Sequence, residues 1–402
     1  MRAIFTAFLI WLSALAAQAQ DLSGLARLDP AKSGIEDGWF GRTTLTLSLS
    51  QGVPFRVFTL DNPARLVADF REVDFTGVLP GDLLQEAGHV TAVRFGPFRP
   101  GWSRLVLDLA EPMLPAEIGM PVDPSSGRAM LKILMKAVDT EAFSQAARAP
   151  DDAEWGVQAA AAPPPPAPDS FVVVIDPGHG GIDPGALRES TSEKDLMLSV
   201  GRELRDALRR AGGVEVFMTR DEDVFVSLPG RVALAHQVGA DVFVSLHADA
   251  LSEGQARGAA IYTLSDAASD AASAQLAAQH DRSDILAGID LSGTDDEVAR
   301  VLLEIARTET TPRTDMLASA LVDAMRDAGG PMNKRPRREA GFSVLKSADI
   351  PSVLVEVGFL SDARDLANLR DPVWRAVMVE ALASGILAWR DSDAATRPLI
   401  RQ

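Results

Sequence analysis

The stretch FVVVIDPGHGGIDPGA, from Phe171 to Ala186, places an apolar run before an aspartate and then turns through glycines and prolines around one histidine. A continuous apolar run is typical of a strand that is buried on both faces, as in a parallel sheet. His179 then follows the carboxyl end of that strand. In open α/β sheets, ligands bind in the crevice outside the carboxyl ends of the strands. The stretch therefore predicts the position of a site together with the fold.

Two later segments repeat this arrangement. DVFVSLHAD (Asp241–Asp249) and SVLVEVGFL (Ser352–Leu360) are also predicted to be buried strands, and they carry His247 and Glu356 at or near their carboxyl ends. Because the carboxyl ends of parallel strands lie at one edge of a sheet, we expect these two residues and His179 to converge there.

A helix is predicted between the first two strands. In SEKDLMLSVGRELRDALRRAGG, leucine and valine recur at every fourth position from Leu196 to Leu208. Ser192 and Asp195 have the spacing of a capping box, Glu193 stands at the first turn, and glycines end the helix. Residues 171–392 are therefore predicted to form an α/β domain with a mostly parallel sheet flanked by helices.

The residue types expected at this edge favour a metal site. The chain has no cysteine, so a metal must be held by His, Asp and Glu. Two imidazoles and one carboxylate from separate elements suffice for a catalytic Zn²⁺ with an open fourth position, although Co²⁺ and Mn²⁺ accept the same ligands. Each residue taken alone also fits a structural role. The glycines beside His179 permit a sharp turn, and Asp176 is placed to brace His179.

The sequence upstream predicts a separate, small all-β domain at 38–140, with a sandwich as its expected form. Residues 151–170 are rich in alanine and proline and predict an extended linker. The predicted strands of this domain are Thr43–Ser50, Phe55–Leu60, Arg65–Phe70, Val90–Gly96, Ser103–Leu109 and Leu131–Ala137.

The amino terminus and the net charge bear on location and partners. Residues 1–19 place an apolar run after Arg2 and end in Ala17-Gln18-Ala19, which predicts a cleaved signal peptide and a periplasmic protein. No later segment is long and apolar enough to predict a transmembrane anchor. The net charge of −17 argues against a nucleic-acid partner, and the basic cluster Asn333–Arg338 is predicted to be a solvated loop.

Taken together, these motifs resemble the zinc-dependent N-acetylmuramoyl-L-alanine amidases of the amidase-3 family. The resemblance implies that His179, Glu193 and His247 are the zinc ligands, that Glu356 is the catalytic glutamate, and that the substrate is peptidoglycan. The bond cut is then the amide between N-acetylmuramic acid and L-alanine. The matching segments are VVVIDPGHGGIDPGA, TSEKDL, VFMTRDEDVFVSLPGRVALA, DVFVSLHADA and AGFSVLKSADIPSVLVEVGFLSD.

The upstream domain is similar to the AMIN module of the same enzymes, notably in PARLVADF and VTAVRFGPFRPGWSRLVLDLAEP. This similarity implies a role in placing the enzyme on the cell wall, often at the division site, and hence in wall remodelling and daughter-cell separation. Two alternatives remain: a non-catalytic peptidoglycan-binding scaffold with the same fold, and a metal-dependent carbohydrate deacetylase.

Ser265–Thr311 is too long for an ordinary loop of an α/β unit, and it predicts a functional insertion with helices near Ala267–His280 and Glu297–Thr308. The first helix has few large apolar residues, so we expect it to dock weakly. The resemblance implies that such an insertion blocks the site, with an acidic residue on the zinc, until a periplasmic activator displaces it. Asp266 and Asp270 are the candidate blocking residues, with steric cover as the alternative.

Overall fold

The structure is a computed structural model that describes residues 25–71, 73–84, 87–150, 163–167, 170–251, 256–287 and 297–400. The predicted signal peptide at 1–19 and most of the predicted linker at 151–170 lie outside the described residues. The described chain forms an N-terminal β domain and a C-terminal α/β domain.

The N-terminal domain is a sandwich of two four-stranded antiparallel sheets. Its strands are β1 (Ala26–Arg27), β2 (Gly34–Gly38), β3 (Arg42–Leu49), β4 (Phe55–Leu60), β5 (Arg65–Arg71), β6 (Val73–Asp74), β7 (Val90–Arg99), β8 (Trp102–Leu109), β9 (Met113–Gly119) and β10 (Ala129–Ala137). The sheets have the orders β2-β3-β10-β9 and β4-β5-β8-β7, and β1 pairs with β6. Short helices α1 (Pro80–Leu83) and α2 (Thr140–Ala146) complete the domain.

All six strands predicted for this domain are present, and the sequence analysis missed the two-residue strands β1 and β6 as well as β2 and β9. The segment GIEDG of β2 has one β-branched residue, and β9 contains Pro115, so neither shows a strong strand signal. Strand β10 shows the alternation expected of a sandwich, because Leu131 and Ile133 face the core while Met130 and Lys132 face solvent.

The C-terminal domain is built on a six-stranded sheet of order β14-β11-β15-β18-β16-β17. The strands of this domain are β11 (Phe171–Pro177), β12 (Leu187–Arg188), β13 (Thr191–Ser192), β14 (Val214–Met218), β15 (Val242–His247), β16 (Ala259–Leu264), β17 (Met332–Ala340) and β18 (Ser352–Glu356). The first four strands of the sheet are parallel, whereas β16 runs antiparallel to β18, and β17 runs parallel to β16. The prediction of a mostly parallel sheet is confirmed, and the antiparallel pairing of β16 with β18 makes it a mixed sheet.

Helices cover both faces of this sheet. They are α3 (Glu193–Ala211), α4 (Leu228–Gln237), α5 (Ala271–His280), α6 (Ser283–Leu286), α7 (Glu297–Asp327), α8 (Ala363–Arg370) and α9 (Pro372–Ile400). One core places α3, α7 and α9 against the sheet, and a second core places α4 and α5 on the other face. None of these helices, within the described part of the chain, combines the length and apolarity needed to cross a membrane.

Three local predictions differ from the structure. Ser192 occupies the N-cap position of α3, but its hydroxyl donates to the Asp195 carboxylate and makes no bond to the helix backbone. The second insertion helix is the start of α7, which continues through Pro312 to Asp327. The basic cluster Asn333–Arg338 lies in edge strand β17 and not in a loop; Lys334, Arg335 and Arg337 are exposed, whereas Arg338 is half-buried.

Candidate metal centre and active site

The turn after β11 is shaped to bring two histidines together. Gly178 follows the strand, and a Cβ at this position would lie 2.2 Å from Cε1 of His247, so only glycine leaves room for that ring. His179 adopts a left-handed backbone with φ of 59°, which is uncommon for a residue with a side chain. Such a conformation persists where the surrounding structure holds it, and it aims the imidazole at the sheet edge.

Buried carboxylates surround the His179 imidazole. Nδ1 lies 2.8 Å from Oδ2 of Asp183, and Nε2 lies 3.2 Å from Oε2 of Glu193 without a hydrogen bond. Burial lowers the pKa of His179, but the charges of Asp183 and Glu193 outweigh it and raise that pKa well above its usual range. The surroundings of this ring therefore favour a positive charge.

Glu193 links the first two histidines. It is the first residue of α3 and is fully buried, and its Oε1 lies 3.0 Å from Nδ1 of His247. The carboxylate also accepts backbone N–H groups from Ala186 and Ala248, each at 2.9 Å. These donors and the helix dipole stabilise the ionised carboxylate at a helix terminus.

His247 ends β15, directly opposite Glu356 in the register of β15 and β18. Its burial, together with the nearby His280, lowers its pKa to about 4. The ring is therefore neutral at physiological pH and keeps a lone pair, which is the form that binds metals.

Glu356 has one anchored and one unpaired oxygen. Oε2 accepts the backbone N–H of Asp249 at 3.1 Å, whereas Oε1 is buried and has no hydrogen-bond partner among the described residues. Burial raises the pKa of Glu356 well above its usual range, and the carboxylate of Asp249 adds to this effect. A carboxyl group whose pKa is raised in this way is suited to take up a proton and to return it.

Asp176 supports the turn after β11 indirectly, through Arg231. Its carboxylate accepts from Thr219, Ser245 and Arg231, and Arg231 in turn donates to the His179 carbonyl oxygen at 2.8 Å. The imidazole itself is oriented by Asp183, which the sequence analysis missed. Asp183 lies four residues after His179 in the same turn, and this spacing was the available signal.

The insertion contributes His280, which the sequence analysis also missed. This residue ends α5 and is buried, its ring centroid lies 4.1 Å from that of His247, and Nε2 contacts the Asp249 carboxylate. Three overlapping groups of side chains have ligand atoms within 4.8 Å of one another and could hold a metal ion. They are His179–His247–His280, His179–Glu193–Asp249 and Asp249–His280–Glu356.

The two candidate blocking residues lie elsewhere. Asp270 caps α5 through the Ser273 N–H, and its carboxylate pairs with Arg338 at 2.7 Å. Asp266 is exposed just after β16. Because α5 runs from Asp270 towards the sheet edge, its last residue reaches the cluster and its first residue does not. Neither aspartate belongs to the groups that could hold a metal among the described residues.

Comparison with known proteins covers both domains. Residues 173–388 match the N-acetylmuramoyl-L-alanine amidase family, and residues 36–123 match the AMIN domain. The chain is 31% identical over 374 residues to N-acetylmuramoyl-L-alanine amidase AmiC of Escherichia coli O6:H1, with 88% of each chain covered. It is 35% identical over 229 residues to AmiA of Escherichia coli K12, with 56% of this chain and 78% of AmiA covered.

Similar solved structures include amidase AmiC2 of Nostoc punctiforme, which is 29% identical and has a TM-score of 0.38 over 55% of this chain and 97% of that chain. The family match spans the whole domain that assembles the histidines and glutamates at one sheet edge, and the alignment with AmiC extends over the β sandwich as well. The chain therefore belongs to the N-acetylmuramoyl-L-alanine amidases, it carries an N-terminal AMIN domain, and it is a peptidoglycan amidase.

Proposed function

We propose that this amidase is zinc-dependent, with His179, Glu193 and His247 as the ligands and Glu356 as the catalytic residue. The donor set supports this proposal, because imidazole and carboxylate suit Zn²⁺ and no cysteine is present. The orphaned Nε2 of His179 supports it as well, since this buried atom faces carboxylates that favour a cation. A zinc ion would take the place of the proton that these carboxylates otherwise attract.

The chemistry divides between the metal and the chain. A zinc ion held by His179, Glu193 and His247 would supply a Lewis acid for the scissile carbonyl and for a water molecule. Glu356 accepts the proton of that water on its unpaired Oε1 and then donates it to the departing amine of L-alanine. The backbone N–H of Asp249 holds Oε2 during both transfers. Asp183 keeps the His179 ring in one orientation.

The observation that carries the proposal is the convergence of four buried chemical residues from three strand ends and one helix start. An unpaired oxygen on a buried glutamate, such as Oε1 of Glu356, destabilises the fold. A non-catalytic peptidoglycan-binding scaffold, the first alternative, has no need of such an oxygen. A deacetylase, the other alternative, would release acetate from the glycan and leave the stem peptides attached.

The test is mass spectrometry of purified peptidoglycan after digestion. We expect free stem peptides that begin with L-alanine and glycan strands that have lost their peptides. Glu356→Gln should retain zinc but lose at least about 100-fold in rate, the usual scale for removal of a general base. Acetate as the product would instead support the deacetylase. Loss of zinc together with activity would make Glu356 a ligand.

We also propose that the insertion at 265–311 keeps the enzyme inactive, with His280 as the blocking residue. His280 contacts Asp249, its ring lies beside that of His247, and it belongs with Asp249 and Glu356 to one of the groups whose ligand atoms lie within 4.8 Å of one another, so the end of α5 lies inside the cluster. A substrate amide cannot reach Glu356 while this ring occupies the cluster.

The proposed function also includes an activator, export to the periplasm and placement on the cell wall. An exported amidase that was always open would dissolve its own wall, so a periplasmic activator protein is expected to displace the insertion. Export would use the signal peptide at 1–19, and the AMIN domain would place the enzyme on the wall, where it acts in remodelling and daughter-cell separation. Detection of the mature protein in the periplasm, with an amino terminus at Gln20, tests the export step.

A further inference from the structure

The outward face of the AMIN sheet β4-β5-β8-β7 is covered. Strands β5 and β8 are buried along nearly their whole length, including residues that point away from the sandwich core. Val67 and Val106 lie on this outer face and are fully buried, whereas their neighbours Leu66 and Leu107 belong to the sandwich core. A sheet with two apolar faces requires a second covering layer.

The catalytic domain supplies that layer. A mixed apolar cluster joins the AMIN residues Phe58, Leu60, Val67, Phe98 and Val106 to the catalytic residues Ile182, Phe225 and Ala287. Within it, the rings of Phe98 and Phe225 stack with centroids 5.9 Å apart. Ile182 lies in the turn that carries His179, and Ala287 directly follows helix α6 of the insertion.

The backbones approach closely at the same place. A Cβ on Gly181 would lie 2.1 Å from the Pro97 carbonyl oxygen, and a Cβ on Gly96 would lie 3.2 Å from the carbonyl oxygen of Gly181. Strand β7 therefore rests directly on the His179 turn. A glycine on each side is what permits this contact.

Arg104 connects the AMIN domain to the insertion. This buried arginine donates from Nη1 to the carbonyl oxygen of Ala287 at 3.1 Å, beyond the end of α6. Its other nitrogens bind both oxygens of Asp69, and its guanidinium lies 3.5 Å from the centre of the Phe98 ring. The planar group is thus fixed by the AMIN domain while it holds a backbone carbonyl of the insertion.

We infer that the AMIN domain is an intramolecular clamp, which holds the insertion at Ala287, just beyond the end of α6, and thereby keeps His280 in the active site. This inference rests on the proposed blocking role of the insertion. The segment from His280 to Ala287 is short, and it is fixed at one end by the cluster and at the other by Arg104 and the apolar contact. Separation of the two domains is therefore a step in activation.

Point substitutions in the full chain test the clamp. Phe98→Ala removes the stacked ring at the domain contact, and Arg104→Ala removes the bond to Ala287. Each should raise the basal rate on purified peptidoglycan by about tenfold, since a central interface residue shifts an equilibrium by roughly that factor. Phe95→Ala is the matched control, because Phe95 lies on the same strand but stacks on Phe75 inside the sandwich.

Proteolysis gives a second readout that does not depend on turnover. Arg282 lies exposed between α5 and α6, and trypsin can cut there only when the segment opens. We expect faster cleavage after Arg282 in Phe98→Ala and Arg104→Ala, and an unchanged rate in Phe95→Ala. Thermal unfolding of each variant checks that both domains remain folded.

The outcomes separate the clamp from the blocking role. If replacement of 265–311 by a Gly/Ser linker does not raise the rate, the blocking role is wrong. If that replacement raises the rate but both clamp variants keep wild-type rates of hydrolysis and cleavage, the clamp is overturned and the blocking role stands. If Phe98→Ala further accelerates the linker variant, the AMIN domain acts on catalysis directly, which also overturns the clamp.

Discussion

At the scale of single residues, the site is organised by charge around imidazole rings. Three of the five histidines in the chain lie in one buried cluster, and each contacts at least one carboxylate of Asp183, Glu193 or Asp249. The charges of Asp183 and Glu193 raise the pKa of His179, whereas burial and the nearby His280 lower the pKa of His247 to about 4. A divalent cation suits such a cluster better than a proton does, because several of these side chains can bind one cation at the same time.

The ligand assignment predicts the loss of metal on substitution. His179→Ala and His247→Ala should each lose zinc and reduce activity by at least about 100-fold, which is the upper range for residues that merely support a ligand. His236→Ala is the control, because this exposed histidine on α4 lies against Asp349 and Ser347. Zinc is measured by atomic absorption. Full metal content in either ligand variant would contradict the assignment.

Asp284 on α6 predicts a pH-dependent stability. This buried carboxylate accepts the Leu228 N–H, and burial raises its pKa to about 6. The unfolded chain has the lower pKa, so the folded state binds the proton more tightly and loses stability as the pH rises towards 6. Asp284→Asn removes this pH-dependent loss of stability, because an amide does not titrate in this range. The variant should match the wild type near pH 4 and be more stable by about 2 kcal/mol at pH 7.

The measurement is thermal unfolding of both proteins at several pH values. Only the difference between them is used, because other groups titrate equally in both. A melting-temperature gap of about 4–8 °C is expected at pH 7, and none at pH 4. A gap that stayed constant with pH would mean that Asp284 does not carry the effect.

At the scale of elements, helices α5 and α6 of the insertion are docked by polar anchors as well as by apolar contacts. Asp270 pairs with Arg338, Asp281 accepts the Ser343 N–H, and Asp284 accepts the Leu228 N–H. Leu276 and Ala277 add buried apolar contacts. The expectation of weak docking rested on apolar content alone. Each anchor can be released separately, as a displaceable segment requires.

Replacement of 265–311 by a short Gly/Ser linker should raise activity on purified peptidoglycan well above that of the intact chain. The part of α7 after Pro312 is retained, and its Arg313 stays paired with the buried Asp393 of α9. His280→Ala should give a gain of about tenfold, because one buried contact that holds the closed state is lost. Gln275→Ala, on the exposed side of α5, should change nothing. A folded, zinc-loaded linker variant that was no faster than the intact enzyme would contradict the blocking role.

At the scale of the whole molecule, the two domains meet beside the chemistry. The AMIN sheet contacts the His179 turn through Pro97 and the insertion through Arg104. The AMIN domain, to which the resemblance assigns a role in placing the enzyme on the wall, is thus in contact with the insertion that carries His280. An interface of this kind can be separated. A force or partner that acts on one domain therefore changes the contacts of the other domain.

The sequence by itself determined the elements and the residues that do chemistry. Apolar runs of β-forming residues set β11, β15 and β18, and the four-residue period set α3, because burial imposes these patterns locally. His179, His247 and Glu356 could be named because parallel strands end at one edge, and Glu193 because it stands at the start of the predicted helix. The tertiary structure alone decided which side chains outside these motifs reach that edge. His280 arrives there through the direction of α5, and Arg104 contacts Ala287, which lies 183 positions away in the chain. Such contacts depend on packing between elements that are distant in sequence, and no local pattern records them.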